Sequence, residues 1–232
     1  MRRIFAVVPA HNESLTVEET VRALRRFADE VVVVADACVD DTADRAQDAG
    51  ATVLTRSGRG DKARALAMGL NWVARQNPDE EDVVLLVDAD TGESAVEAVF
   101  LVMAVVSEDA EMAIGVLPPA GRHGGFGLVA RFARWVLGQR TGYLFRAPLS
   151  GQRAIRWSML RNLRALAGGF GVEVGMAVDL IRLGARVWEV EVNITHRYTG
   201  RGWRGFLHRA RQGWHVLWAS IGLRRVRLWN HD

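Results

Sequence analysis

Cysteine and lysine are almost missing from this 232-residue chain: Cys38 and Lys62 are the only ones. A lone thiol excludes an intrachain disulfide and fits a reducing compartment. Proline is scarce too, five in all, and no stretch reads as a separate linker or an internal repeat. Long apolar runs are lacking. The longest late run, residues 95–106, carries Glu97 and is too short to cross a bilayer. The amino terminus is basic, but its apolar run stops at Pro9 and reads as a strand, not a secretory signal. Neither charge prevails, with 30 basic against 27 acidic residues. The signs are unevenly placed: acidic residues crowd the first half and arginine dominates from Arg122 onward. Such a basic half suits an anionic substrate, a membrane surface or nucleic acid, and alone selects none. What is present is 49% hydrophobic and 25% charged residues, enough for a sizeable core and against disorder. The expectation is a soluble cytoplasmic protein, with peripheral membrane contact left open.

The organising stretch is Val83-Val84-Leu85-Leu86-Val87-Asp88-Ala89-Asp90. Five apolar residues without alternation suit a strand buried on both faces of a parallel sheet. The run ends in two carboxylates where open α/β sheets place their ligands. In an extended segment residues two apart point the same way, so Asp88 and Asp90 address one ligand together. Close carboxylates repel unless a cation or donors lie between them, and a hard divalent ion carrying a diphosphate supplies that charge.

Other elements fall into a strand–helix rhythm. Strands are expected at residues 4–8, 31–35, 52–55, 83–87 and 112–116. Helices are expected at 16–27, from the acidic turn at 36–42 to Gly50, and at 63–75 and 95–106. The rhythm indicates βαβ units and a mostly parallel sheet with helices on both faces, in a single α/β domain. Later come a glycine-rich loop at 118–125, a helix at 128–137, a mixed segment through residue 151 and a glycine cluster at 168–171. A helix at 174–183 and a strand at 187–194 with one wet face follow. This second half reads as an elaboration of the same sheet.

Several polar residues sit at strand ends. Asp36 is placed to accept from a base amide or ribose hydroxyl, or to cap the next helix, a role open to Asp40 as well. Glu13 touches a nucleoside or braces the opening loop. Lys62 is a point charge suited to a diphosphate, and its rarity sets it apart from an ordinary exposed lysine. Glu173 opens a helix, where the dipole alone favours a carboxylate.

Four motifs, in order, resemble the nucleotide-sugar glycosyltransferases of family 2, which have a single-domain GT-A fold. Val8-Pro9-Ala10-His11-Asn12-Glu13 is similar to the family's opening loop, and 36–42 to its acidic turn, with Ala35 and Cys38 in place of the usual aspartate and serine. Lys62 to Leu66 resembles the lysine loop, and Asp88-Ala89-Asp90 the DxD motif. Pro148 to Gly151, Gly169 to Gly175, and Asn193 with His196-Arg197 resemble a retaining branch, the glucosyl-3-phosphoglycerate synthases. The Gly121-Arg122 loop resembles that branch's acceptor loop, whereas Gln152 stands where an acidic residue is expected.

The resemblance implies a nucleotide-sugar donor, with uridine as the base, bound by Pro9, Ala10, Asn12, Glu13, Asp36, Lys62, Asp88 and Ala89. It assigns Mg2+ or Mn2+ to Asp90, which thereby serves catalysis, with His196 as a nitrogen ligand. Asp88 would face the ribose or the metal's water shell. Gly121, Arg122, Ser150, Gly151 and Arg197 would hold a small anionic acceptor, and Arg153 and Arg201 lie near the same loops. Glu173 would be the general base of an inverting enzyme or, in the retaining branch, orient sugar or acceptor. The implied division is a nucleotide-sugar half at 1–117, an acceptor half at 118–202, and a carboxyl-terminal amphipathic helix at 203–232.

That last segment spaces Trp203, Phe206, Leu207, Trp214 and Trp218 as a helix with arginines between them. It suits homodimer packing first and an anionic lipid surface second, and no nucleic-acid module accompanies it. Three further readings stay open: an inverting enzyme acting on a polyprenyl phosphate at the membrane, a nucleotidyltransferase, and a nucleotide-binding module without turnover. The nucleotidyltransferase reading needs a glycine-rich basic loop after the first strand, which residues 9–14 lack.

Overall fold

The computed structural model of the chain describes residues 2–107, 110–118, 126–168, 171–196 and 225–229. Its strands are β1 (Ile4–Ala10), β2 (Glu30–Asp36), β3 (Thr52–Arg56), β4 (Val83–Leu86), β5 (Met112–Val116), β6 (Arg153–Arg156), β7 (Ala165–Ala167), β8 (Val187–Glu191) and β9 (Arg225–Arg227). Seven of them form one sheet in the order β3-β2-β1-β4-β6-β5-β8, and β7 pairs with β9 apart from it. Strands β1 to β4 are mutually parallel, β8 runs parallel to β5, and β6 runs antiparallel between β4 and β5.

The helices are α1 (Val17–Leu24), α2 (Thr42–Asp48), α3 (Lys62–Arg75), α4 (Val99–Val106), α5 (Phe126–Thr141), α6 (Trp157–Leu160) and α7 (Val172–Arg182). From β1 the chain steps outward to β2 and β3, and α3 then carries it back past β1 to β4. That reversal opens a crevice at the carboxyl ends of β1 and β4.

Both faces of the sheet are packed. Phe5, Val7, Val84 and Leu86 point into one apolar cluster, and Ala6, Val8, Val83 and Leu85 into the other. The unalternating sequence of β4 thus has its cause in burial on both sides, worth roughly 1.5–3 kcal/mol for each such side chain. Gly69 lets α3 lie directly on β1, because a Cβ there would run into the Val7 side chain.

Several elements differ from expectation. Strand β1 continues through Pro9 to Ala10, beyond Val7↔Leu86 where its pairing with β4 stops. The helix expected at 95–106 begins only at Val99, after a 3-10 segment, Ala89–Ala98, interrupted at Asp90 and at Gly92 with its φ of 55°. Thr20 stabilises this kink: its Oγ1 accepts from the Gly92 N–H at 2.8 Å and donates to the Ala89 carbonyl at 3.0 Å. Just after the mixed segment comes β6, an antiparallel central strand that periodicity does not reveal. In β8 the expected faces are not kept, for Val187 is buried whereas Trp188 is 48% exposed. Of the helical segment expected at 203–232, residues 203–224 and 230–232 lie outside the described residues, and residues 225–227 are a strand. No described helix is long and apolar enough to cross a membrane.

Candidate active site

Two loops meet at the carboxyl ends of β1 and β2. The Glu13 N–H donates to Thr42 Oγ1 at 2.9 Å, and the Ser14 N–H to Asp40 Oδ2 at 3.3 Å. Asn12 adopts a φ of 58°, and its Oδ1 accepts from the Val39 N–H at 2.8 Å. Asn12 therefore ties the opening loop to the acidic turn. Glu13 is held beside the crevice with its carboxyl raised to about 7, first by burial and then by the nearby Asp90 charge.

Asp36 is neither a cap nor an open acceptor. It is buried; Oδ2 accepts from the Asp61 N–H at 2.6 Å and Oδ1 lies 2.5 Å from Arg56 Nη2. Asp61 in turn caps α3, its side chain accepting from the Ala63 and Arg64 N–H groups. The effect is to fix Lys62 at the first turn of α3, aimed across the crevice.

There Lys62 Nζ lies 2.7 Å from Asp88 Oδ1 and 2.8 Å from Glu173 Oε1. Burial works against the ammonium charge, yet the two carboxylates outweigh it and raise the Lys62 pKa. Burial likewise works to raise the Asp88 carboxyl, but Lys62 prevails and holds it below the usual range. Gln152 completes this cluster, donating from Nε2 to Asp88 Oδ2 at 3.0 Å and accepting the Asp88 N–H on Oε1 at 3.2 Å.

Asp90 has a different partner, its Oδ1 lying 2.8 Å from His196 Nδ1. Burial disfavours a charged imidazole, but this contact dominates and raises the His196 pKa. His196 is brought there by a strap: the Thr195 N–H donates to Ser94 Oγ at 3.0 Å and the Asn193 N–H to Glu97 Oε2 at 3.3 Å. One ligand atom from each of Asp88, Asp90 and His196 can be chosen so that all lie within 4.8 Å of one another. Two carboxylates and one imidazole are a fitting donor set for Mg2+ or Mn2+. The convergence does not come from an extended i, i+2 pair, since Asp90 already lies in the 3-10 segment with φ −92° and ψ 15°. Asp88, expected at the ribose or a water shell, belongs to the same potential ligand group.

The remaining expected residues divide. Pro9 and Gly151 line the cleft with Lys62, Asp88 and Glu173. A Cβ on Gly151 would lie 2.5 Å from Asp88 Oδ2, so the backbone needs glycine to come this close. Ser150 is buried, its Oγ accepting from the Gln152 N–H at 3.3 Å. Ala10 and Ala89 are buried in the core beneath the loops. Arg153, placed by sequence near the acceptor loops, lines the same cleft yet is 1% exposed, donating to the carbonyls of Pro148, Ser150 and Glu173. Burial lowers its pKa to about 10. Gly121, Arg122, Arg197 and Arg201 lie outside the described residues. Sequence reasoning noted Gln152 only as a departure from an expected acidic residue and gave it no role, and it missed Ser94, which no periodicity marks.

The profile of glycosyl transferase family 2 matches residues 5–156. The chain is 26% identical over 200 residues to glycosyltransferase AglJ of Haloferax volcanii, matching 84% of this chain and 63% of that protein's length. It is 28% identical over 213 residues to the undecaprenyl-phosphate mannosyltransferase of Micrococcus luteus, with 85% and 86% covered. Glucosyl-3-phosphoglycerate synthase of Mycobacterium tuberculosis, solved with phosphoglyceric acid, superposes with a TM-score of 0.75 at 28% identity, over 96% of this chain and 81% of that one. The same enzyme solved with Mn2+, uridine-diphosphate-glucose and phosphoglyceric acid gives a TM-score of 0.74 at 27% identity, covering 95% and 80%. The α/β architecture expected from the sequence is that of these structures.

Proposed function

The chain belongs to glycosyl transferase family 2, and from that premise we propose that it moves a hexose from uridine diphosphate to a small anionic acceptor of the phosphoglycerate kind, with retention. Mg2+ or Mn2+ would be held by Asp88, Asp90 and His196. The observation that carries this reading is the convergence of those three ligand groups beside the chain's one lysine, at the switch point of the sheet.

In the reaction the bond between the anomeric carbon and the diphosphate oxygen breaks, and its electron pair leaves with the nucleotide. A divalent cation, if held by Asp88, Asp90 and His196, would supply positive charge to the diphosphate. Lys62 adds a second positive charge on the same side, fixed by Asp88 and Glu173 before the donor arrives. Such preset charge needs no reorganisation as the leaving group develops its own. The acceptor hydroxyl oxygen bonds to the anomeric carbon from the face that the diphosphate vacates, and its proton passes to the departing phosphate oxygen. Glu173, buried at the start of α7 and held by Lys62, would orient sugar or acceptor.

A second reading rests on the Micrococcus relative: inverting transfer to a polyprenyl phosphate, with the basic tryptophan-bearing segment at 203–221 on the membrane. Under the first reading the protein is cytoplasmic and that segment serves a homodimer. Incubation with uridine-diphosphate-glucose, Mn2+ and either 3-phosphoglycerate or a polyprenyl phosphate tests both, with the product's anomeric configuration read by NMR. An α-linked phosphoglycerate product supports the first reading. A β-linked lipid product replaces it with the second, and tight donor binding without any product would leave a binding module.

A further inference from the structure

Gln152 has no freedom in this site. It is 0% exposed, and its carbonyl accepts from the Gly115 N–H at 2.9 Å, which anchors it to β5. A Cβ on Gly115 would lie 3.2 Å from the Gln152 Cβ, so the two backbones are packed closely here. The amide is satisfied at both ends by one residue: Oε1 takes the Asp88 N–H and Nε2 gives to Asp88 Oδ2. The amide orientation follows from this pair, since the flipped amide would set a donor against the N–H and an acceptor against the carboxylate.

Asp88 is thus gripped from two sides, by Lys62 on Oδ1 and Gln152 on Oδ2. The two grips differ in charge. Lys62 brings one positive charge, whereas Gln152 fixes the carboxylate without adding any. With the imidazole neutral, Asp88, Asp90, Glu173 and Lys62 then leave two net negative charges for one divalent cation.

Building on the metal reading above, we infer that Gln152 is a positioning residue: its neutral two-point grip turns the Asp88 carboxylate toward Asp90 and His196 and so sets the affinity of the site for a divalent cation. A carboxylate in its place, the residue type expected in the retaining branch, would meet Asp88 with like charge at hydrogen-bond distance and, without a further cation of its own, turn it away. Outer partners of this kind typically govern metal affinity by about 10- to 100-fold.

The test is calorimetric titration of the full chain with Mn2+, alone and with uridine diphosphate, beside thermal melts of the metal-free protein. Gln152→Met removes both hydrogen bonds at similar volume, and Gln152→Glu keeps the acceptor for the Asp88 N–H but replaces the donor by an anion. Ile155→Val, a core change in β6 at a residue outside the candidate ligand group, reports what loss of stability alone does. Both Gln152 variants are expected to bind Mn2+ at least about 10-fold more weakly, while Ile155→Val binds as wild type despite a lower melting temperature. Should Gln152→Met not fold, Gln152→Glu decides by sign, because a site governed by charge count and not by orientation would bind Mn2+ more tightly. Unchanged or tighter binding in Gln152→Glu overturns the inference, as does a loss that Ile155→Val reproduces at equal stability. A wild-type chain that takes up no Mn2+ under either condition would overturn the metal reading itself, and this role with it.

Discussion

Lys62 and Gly151 show how single residues set the site. Replacing Lys62 by Met leaves the Asp88 and Glu173 carboxylates facing one another without a cation. Removing one partner of a buried pair costs about 3–5 kcal/mol. Lys62 is 25% exposed, and water reaching the site screens part of that, so about 2 kcal/mol is expected. Urea unfolding of the metal-free Lys62→Met variant checks it. Gly151→Ala acts differently. Its methyl group would stand 2.5 Å from Asp88 Oδ2 and 2.9 Å from Lys62 Nζ, pushing both out of place at the cleft wall. Misplacement on the scale of 1 Å costs about 100-fold in rate. The expectation is a fall of that order in kcat/KM with a nearly unchanged melting temperature, read by steady-state kinetics beside a thermal melt. Both residues were legible in the sequence, Lys62 by its rarity and Gly151 by its motif. Gln152 was legible only as a departure from an expected acidic residue, because its role is created by Asp88, 64 positions away.

At the level of elements, apolar pattern revealed those strands whose burial is two-sided or simple. Strand β6 escaped because its buried side chains include Arg153 and Arg156, which read as surface. Each is accommodated only by tertiary partners: carbonyls of Pro148, Ser150 and Glu173 for Arg153, the Glu81 carboxylate and the Val105 carbonyl for Arg156. Sequence spacing carries no trace of such partners. The edge of the sheet offers a pH test. Glu111, just before β5, accepts from the Arg186 N–H at 2.8 Å and from Arg186 Nη2 at 2.7 Å, joining β5 to the start of β8. Those hydrogen bonds hold its carboxyl below the ordinary 4.5. A depressed carboxyl stabilises the fold above the unfolded value and loses that contribution as pH falls through the folded one. The wild type should therefore exceed Glu111→Gln by about 1 kcal/mol at pH 6–7, a modest figure because Arg186 is 60% exposed. The gap should close below pH 4.5, as read from denaturant midpoints across pH. A gap independent of pH would contradict it.

Across the whole molecule, the strand–helix rhythm of the first half specified the parallel sheet and its switch point, because each βα unit buries its own apolar face locally. The second half joins that same sheet through β5, β6 and β8, an arrangement set by contacts between distant segments. The pairing of Asp90 with His196 spans 106 positions and is the clearest case: the motif suggested the histidine, and only the Ser94 strap explains how it arrives. The proposed activity depends on this long-range closure, since neither half alone supplies the full ligand set. The most direct measurement is calorimetric binding of uridine-diphosphate-glucose with and without Mn2+, for wild type and for the Asp88→Asn/Asp90→Asn double variant. Wild type should bind in a Mn2+-dependent manner, and the double variant should lose about 100-fold or more in affinity. Equal, equally Mn2+-dependent binding by the two proteins would contradict the account.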